Sequence, residues 1–321
     1  MILLASEENI KRASEVIRNS GVVAFPTETV YGLGADALNK DAVIKIFEIK
    51  ERPLFDPLIV HIDEIKWIEK LTIEFNEIAK KLVEAFWPGP LTIVFKKSDI
   101  VPYITTGGLN TVAIRMPDNE IALKLIRYSQ TPIAAPSANK FGYISPTSAR
   151  MVYEQLNDKV DIILDGGKTR YGIESTIVYI ENEDVYILRL GAIEIEKIES
   201  VINKKVIISE KVKSPGQFKF HYAPYTRLII FNSFDEVENK LKNYNKVALI
   251  SIKRENLKLP DNVIYDFFSE NGDLREVAKN LFEKLYYYDK MNVDIIFVQA
   301  VKEEGIGRAI MDRLRKAQNR Y

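Results

Sequence analysis

The sequence contains no cysteine and only two histidines, His61 and His221. Disulfides, thiolate catalysis and cysteine-bound zinc are excluded together. A histidine-dependent triad or zinc site would have to use one of those two residues. Lys plus Arg equals Asp plus Glu at 45 each, so no net charge demands a polyanion or an acidic membrane, although a local basic patch remains open. Apolar runs are short, as in Thr92 to Phe95 and Leu228 to Phe231. None reaches the roughly 18 residues of a membrane-spanning helix. The opening "MILLASEENIKRASEV" turns charged after a few apolar residues, which does not read as a signal peptide. The expected location is therefore the cytoplasm. What remains for chemistry is Lys, Arg, Thr, Ser, Asn and backbone, a set suited to phosphate and carboxylate binding.

With 321 residues, 46% hydrophobic and 28% charged, the chain is globular and long enough for two domains. Residues 1–202 alternate short strands with helices, and the strands outnumber those of a simple doubly wound fold. Expected helices cover Ile10 to Asn19, Asp41 to Lys50 and Ile73 to Phe86. Expected strands cover Val22 to Phe25, Leu58 to Ile62, Thr92 to Phe95, Val112 to Arg115, Ile133 to Ala135, Ile162 to Leu164, Ser175 to Ile180 and Val185 to Arg189. Residues 203–226 hold prolines, a glycine and no sustained period, and read as a linker. Four aromatic residues, Phe218, Phe220, Tyr222 and Tyr225, make it too apolar for a solvated tether, so it is an expected lid over the first domain's pocket. Residues 227–321 alternate strand and helix cleanly, the pattern of a smaller, parallel, Rossmann-like α/β domain. Its expected helices include Phe234 to Asn243, Leu274 to Tyr288 and Ile306 to Asn319.

Three nucleotide-binding decoys fail on spacing. "GLGADA" at Gly32 lacks a glycine directly at the preceding strand's end. "GGKT" at Gly166 has Ile162 where a phosphate loop needs glycine, and "GIGRA" at Gly305 reads as a packing turn. "PTETVYGLGADA", from Pro26 to Ala37, is more informative. It leaves a buried strand through hydroxyls and a carboxylate, and its two glycines let backbone approach something closely. In "KERPLFDPLIVH", Lys50 and Arg52 stand two apart at a helix exit, a point charge and a planar fork for phosphate or carboxylate. Alone they would read as a solvated helix end. "AAPSANKFGYISPT" presents Ser137, Asn139 and Ser145 just past a strand. Arg115 closes an apolar strand, so its guanidinium needs a partner, either an internal carboxylate or a ligand's. Together with Thr29, Tyr31, His61, Ser175 and Arg189, these lie at strand ends or adjoining loops, where open α/β sheets hold ligands.

At these residues the chain resembles the threonylcarbamoyl-AMP synthase family. "PTETVYGLGADA", Lys50-x-Arg52-Pro53, "PLIVH", "PSAN" and "ESTIV" follow in that family's order and spacing over roughly residues 1–200, its YrdC-like domain. "SPGQFKFHYAP" and "GIGRAIMDRLRKAQ" resemble the tail of its long, two-domain form. Asp56 stands where the family usually has Asn, and Gln217 where it usually has Met. The resemblance implies a nucleotidyltransferase that joins L-threonine, bicarbonate and ATP into threonylcarbamoyl-adenylate and pyrophosphate, with Mg2+ carried by the ATP phosphates. It implies Lys50 and Arg52 as catalytic phosphate clamps, and Thr29, Tyr31, His61, Arg115, Ala135 and Ser175 around threonine. ATP would meet Lys50, Arg52, Asp56, Thr111, Ser137, Asn139, Ser145, Arg189, His221 and Tyr222. A downstream enzyme forming t6A on tRNA, and tRNA itself, are the implied partners. The alternatives are a double-stranded-RNA-binding module and a hydrogenase-maturation carbamoyltransferase. Zero net charge argues against the first. The second needs cysteine zinc fingers and an acylphosphatase segment, which this chain lacks.

Overall fold

A computed structural model describes residues 1–209 and 221–320. The expected lid thus falls largely on residues 210–220, outside the described residues. Contacts divide the chain into two compact units. One holds Met1–Phe141, Ser145–Arg170 and Glu174–Gln217, and the other Gly142–Ile144, Tyr171–Ile173 and Phe218–Tyr321.

In the first unit, eleven strands pair among the described residues: β1 (Ile2–Leu4), β2 (Val23–Phe25), β3 (Gly32–Asp36), β4 (Ile59–His61), β5 (Leu91–Lys96), β6 (Thr111–Arg115), β7 (Ile133–Ala134), β8 (Ile162–Asp165), β9 (Thr176–Glu181), β10 (Asp184–Arg189) and β11 (Ile207–Ile208). Their spatial order is β1-β8-β2-β3-β7-β4-β6-β5-β9-β10-β11. The sheet is mixed, with β4 parallel to β6 and β5 antiparallel to it. Helices form where caps and apolar spacing agree. Ser6 accepts from the Asn9 amide to open α1 (Glu7–Arg18), which buries Ile10, Ala13, Ser14 and Ile17 along one face. Asn39 accepts from Asp41 and Ala42 to open α2 (Lys40–Lys50), and Glu51 closes it in the left-handed region. That stop leaves Lys50, the last helical residue, pointing into buried surroundings.

Several expected boundaries shift. The long helix expected over Ile73 to Phe86 is instead Glu77–Phe86, because Asn76 caps at Ala79 and Ile73 is engaged with β5 through its backbone. Helices Glu120–Ser129, Ala149–Leu156 and Ile195–Ile202, and strands β1, β3 and β11, were not anticipated. β11, inside the expected linker, pairs with β10. The glycines of "GLGADA" belong to β3 rather than to a loop. A Cβ on Gly34 would lie 2.6 Å from both the Phe25 ring and Ile133, so what approaches closely is a neighbouring core side chain.

The second unit is a four-stranded parallel sheet in the order β12 (Leu228–Phe231), β15 (Ile295–Gln299), β13 (Val247–Lys253), β14 (Val263–Ser269). Helices Leu274–Lys290 and Gly307–Gln318 carry its long apolar faces. The helix expected over Phe234 to Asn243 contracts to a short turn at Phe234–Glu236 and a single turn at Glu238–Leu241.

Candidate active site

The site begins with strand register. His61 pairs with Arg115, and Ile59 with Ala113, across parallel β4 and β6. Val94 of β5 pairs with Ala113. Paired residues share a face, and side chains two apart along a strand do too. One face therefore carries Thr111, Ala113 and Arg115 in a row, with Ile59 and His61 alongside. Its floor is an apolar cluster of Ile59, Val94, Ala113, Ile177 and Leu188, edged by Tyr179 and Tyr186. Every member comes from a strand. Thr111 and Arg115 stand four residues apart, so the row has two ends about 13 Å apart at roughly 3.3 Å per residue.

At the Arg115 end the polar groups are buried. Arg115 donates from Nε to the Gly89 carbonyl at 3.3 Å, and its other nitrogen lies 2.7 Å from Glu28 Oε2. The Glu28 contact is close but not aligned as a hydrogen bond, and neither carboxylate oxygen of Glu28 receives one. His61 is buried and edge-on to Phe25, and its Nδ1 has no partner. Burial, reinforced by the Arg115 charge, pushes its pKa down to about 3, so the ring is neutral near pH 7. Ser175 shares a hydrogen bond with Thr92 at 2.7 Å, while Arg189 donates to the Ser175 hydroxyl and carbonyl, each at 3.0 Å. Thr29 is buried in a turn organised by Thr27, whose hydroxyl contacts Thr29 Oγ1 at 2.8 Å and accepts from two backbone amides. Tyr31 donates to the Gly167 carbonyl at 2.7 Å, and burial raises its pKa. Ala135 is tied to β4 through its amide, which donates to the Ile59 carbonyl.

The second group gathers around the end of α2. Lys50 is 2% exposed, and its ammonium donates to the carbonyls of Ser137 at 2.6 Å and Asn139 at 2.5 Å. No carboxylate lies within ion-pair distance of it among the described residues. Burial, then the neighbouring Arg52 charge, holds its pKa well below the usual lysine value. Arg52 donates to the Asp56 and Pro57 carbonyls and pairs with the Asp56 carboxylate at 2.8 Å. Burial raises the Asp56 pKa, against the pull of Arg52, Lys50 and Arg189. Arg52 is the cation paired with Asp56, while Lys50 is held by backbone carbonyls and Arg189 by Ser175. Ser145 donates to Glu174 at 2.6 Å. β4 parts from β6 before Thr111: the Leu58 amide donates to the Thr105 carbonyl, so the segment carrying Asp56 and Pro57 lies beside the loop at residues 105–107, while Thr111 pairs with Lys96 of β5.

The two remaining expected residues, His221 and Tyr222, lie in the second unit. Both are buried, Tyr222 stacks on Phe282 at 5.5 Å, and Arg313 sits over its ring at 5.2 Å. Sequence reasoning missed Glu28 as the partner of Arg115, Thr92 as the partner of Ser175, Glu174 and the apolar floor. Thr92 left a signal, a fully buried hydroxyl inside the apolar run "LTIVF". Glu28 left only its place in the "PTET" stretch.

A family model described as "Telomere recombination" matches residues 15–191, and one described as "Threonylcarbamoyl-AMP synthase, C-terminal domain" matches residues 193–318. Threonylcarbamoyl-AMP synthase of Pyrococcus abyssi is 44% identical over 97% of this chain and 94% of its own length. The chain belongs to the threonylcarbamoyl-AMP synthase family. The enzyme of that name from Bacillus subtilis is 41% identical over 98% of this chain and 94% of its own. Among solved structures, P. abyssi Sua5 complexed with L-threonine superposes with a TM-score of 0.91 at 42% identity, covering 99% of this chain and 97% of that one. As a threonylcarbamoyl-AMP synthase, the chain is an adenylate-forming enzyme of the nucleotidyltransferase type. No helix among its described residues is long and apolar enough to cross a membrane.

Proposed function

We propose that this chain joins L-threonine, bicarbonate and ATP into threonylcarbamoyl-adenylate with release of pyrophosphate, feeding t6A formation on tRNA through a downstream enzyme. The observation that carries this reading is the presence of two buried cationic groups in one unit, Arg115 on the β6 face and Lys50 with Arg52 at the end of α2. Arg115, with neutral His61, Thr29, Tyr31, Ala135 and Ser175 around it, suits an amino acid's carboxylate and hydroxyl. Lys50 and Arg52, with Asp56, Thr111, Ser137, Asn139 and Ser145, suit a nucleotide and its phosphates, and Arg189, bonded to Ser175, is a further nucleotide contact in this reading. The apolar floor of the β6 face suits uncharged parts of the substrates.

The chemistry asks little of protein nucleophiles. The threonine amine becomes a carbamate, and a carbamate oxygen attacks the α-phosphate. The chain's own residues bind two anions, hold them in line and stabilise charge that grows on phosphate. Lys50 and Arg52 do this with fixed donors in a buried setting, so little reorganisation is needed during the reaction. Among the described residues, no three His, Asp or Glu side chains gather into a metal-binding group. Mg2+ in this reading accompanies the triphosphate and screens its charge, and no step is routed through it. The deciding experiment incubates the full chain with threonine, bicarbonate and ATP. Mass spectrometry should find threonylcarbamoyl-adenylate in step with pyrophosphate release. ATP consumption without that adduct would reject the reading.

A further inference from the structure

Glu28 is the buried charge that the reading above leaves without work. It is 3% exposed, sits in the turn between β2 and β3, and touches Arg115 at 2.7 Å without hydrogen-bond alignment. Both of its oxygens are buried and receive no hydrogen bond. A carboxylate in that condition is costly, because burial removes water and one misaligned cation does not replace it. The charged group in contact with it is Arg115 of β6, and Arg115 pairs in register with the neutral His61 of β4. Arg115 and Glu28 together sum to zero charge. The substrate assigned to this end is a zwitterion, which also sums to zero. If Arg115 takes its carboxylate, the ammonium needs a negative partner in the same pocket, and Glu28 supplies one with vacant lone pairs.

We propose that Glu28 binds the α-ammonium of threonine and accepts its proton, making the free amine that attacks bicarbonate. The step balances. One ammonium proton passes to the Glu28 carboxylate, and the nitrogen lone pair forms the N–C bond to bicarbonate. A C–O bond of bicarbonate breaks, and the departing hydroxide takes a second proton from nitrogen as water. The products are the carbamate, water and neutral Glu28, which returns its proton to solvent when the site empties. Charge explains the timing: once the amine becomes a carbamate, an ionised Glu28 would face a second anion, and protonation removes that repulsion.

This inference rests on threonine lying at Arg115, and wild-type protein separates the two claims. Calorimetry would compare threonine with threoninamide, which lacks the carboxylate, and with 2,3-dihydroxybutanoate, which lacks the amine. Both analogues should bind at least about tenfold more weakly, each having lost a charge-assisted contact. Equal binding of threoninamide would overturn the placement at Arg115. Weak threoninamide with full-strength dihydroxybutanoate would overturn Glu28 alone. Glu28→Gln adds the kinetic test. Its kcat/KM for threonine should fall about 100-fold or more near pH 7, the scale of a positioned proton acceptor, with ATP affinity unchanged. The deficit should shrink about tenfold per pH unit as free amine becomes available without help. A merely structural role would give a deficit that does not change with pH, and that result would reject proton transfer. Should Glu28→Gln not fold, Glu28→Asp, which keeps the charge, should lose rate but keep the wild-type pH profile. A pH-dependent recovery in Glu28→Asp would contradict the proposal.

Discussion

Lys50→Met tests the nucleotide end, because it removes one charge and little volume. The Lys50 ammonium is held by two carbonyl oxygens at 2.6 and 2.5 Å, and among the described residues no carboxylate lies within ion-pair distance of it. A triphosphate would supply that counter-charge. One hydrogen bond to a charged group contributes about 1.5–3 kcal/mol net. At about 1.4 kcal/mol per decade, ATP affinity should fall about 10- to 150-fold. Burial adds a pH signature. The Lys50 pKa in the folded chain lies below the ordinary 10.5, so the folded state binds fewer protons than the unfolded state between the two values. This group's contribution to folding stability therefore rises with pH through that window. Nucleotide binding has the opposite sign, since phosphate favours the ammonium and draws in a proton wherever Lys50 is partly neutral. Calorimetric titration of ATP below pH 10.5, in buffers of different ionisation heat, counts that proton. Uptake should be present in the wild type and absent from Lys50→Met. ATP affinity within about threefold of wild type would refute the reasoning, because less than 1 kcal/mol would then be at stake. Identical proton counts in the two proteins would refute it independently.

Three further outcomes are expected. Threonine should be preferred over serine by only about 1–3 kcal/mol, a methyl's worth, but over valine far more strongly, and equal use of valine in the product assay would show that the hydroxyl is not read. Gly34→Ala should lower stability by about 1–3 kcal/mol through overpacking against Phe25 and Ile133, seen as a fall in Tm of about 2–4 °C per kcal/mol, and an unchanged Tm would show that the strands yield at no cost. His61 should show no NMR titration between about pH 5 and 8. Its folded pKa of about 3 means the unfolded chain binds more protons between there and 6.5, so stability falls as pH drops through that window, and a ring midpoint near 6.5 would contradict this burial.

Much of the chain was legible from local signals. The strand Leu228–Phe231 lies where its apolar run placed it, and Asn39 and Ser6 cap helices as their residue type suggests. The polar groups of Lys50, Arg52, Ser137 and Ser175 stood out because they interrupt or end apolar strands and helices. β3 was missed for a physical reason: Gly32 and Gly34 have poor strand propensity, and only the Phe25 ring and Ala135 across the sheet explain why nothing larger fits. The helix expected over Phe234 to Asn243 shrank to two short turns, though Phe234, Val237 and Leu241 still pack into the second unit's core.

The sequence by itself determined that a charge closing an apolar strand must be buried and needs a partner, but left Lys50 and Arg52 readable as a solvated helix end. Arg115, closing an apolar strand, is the example. The tertiary structure decided which partner each received: Glu28 for Arg115, Thr92 for Ser175, and backbone carbonyls instead of a carboxylate for Lys50. Those pairings depend on strand order and register, which bring together residues far apart in the chain. Local propensity carries no information about them, because many registers satisfy the same apolar pattern until the whole sheet is assembled.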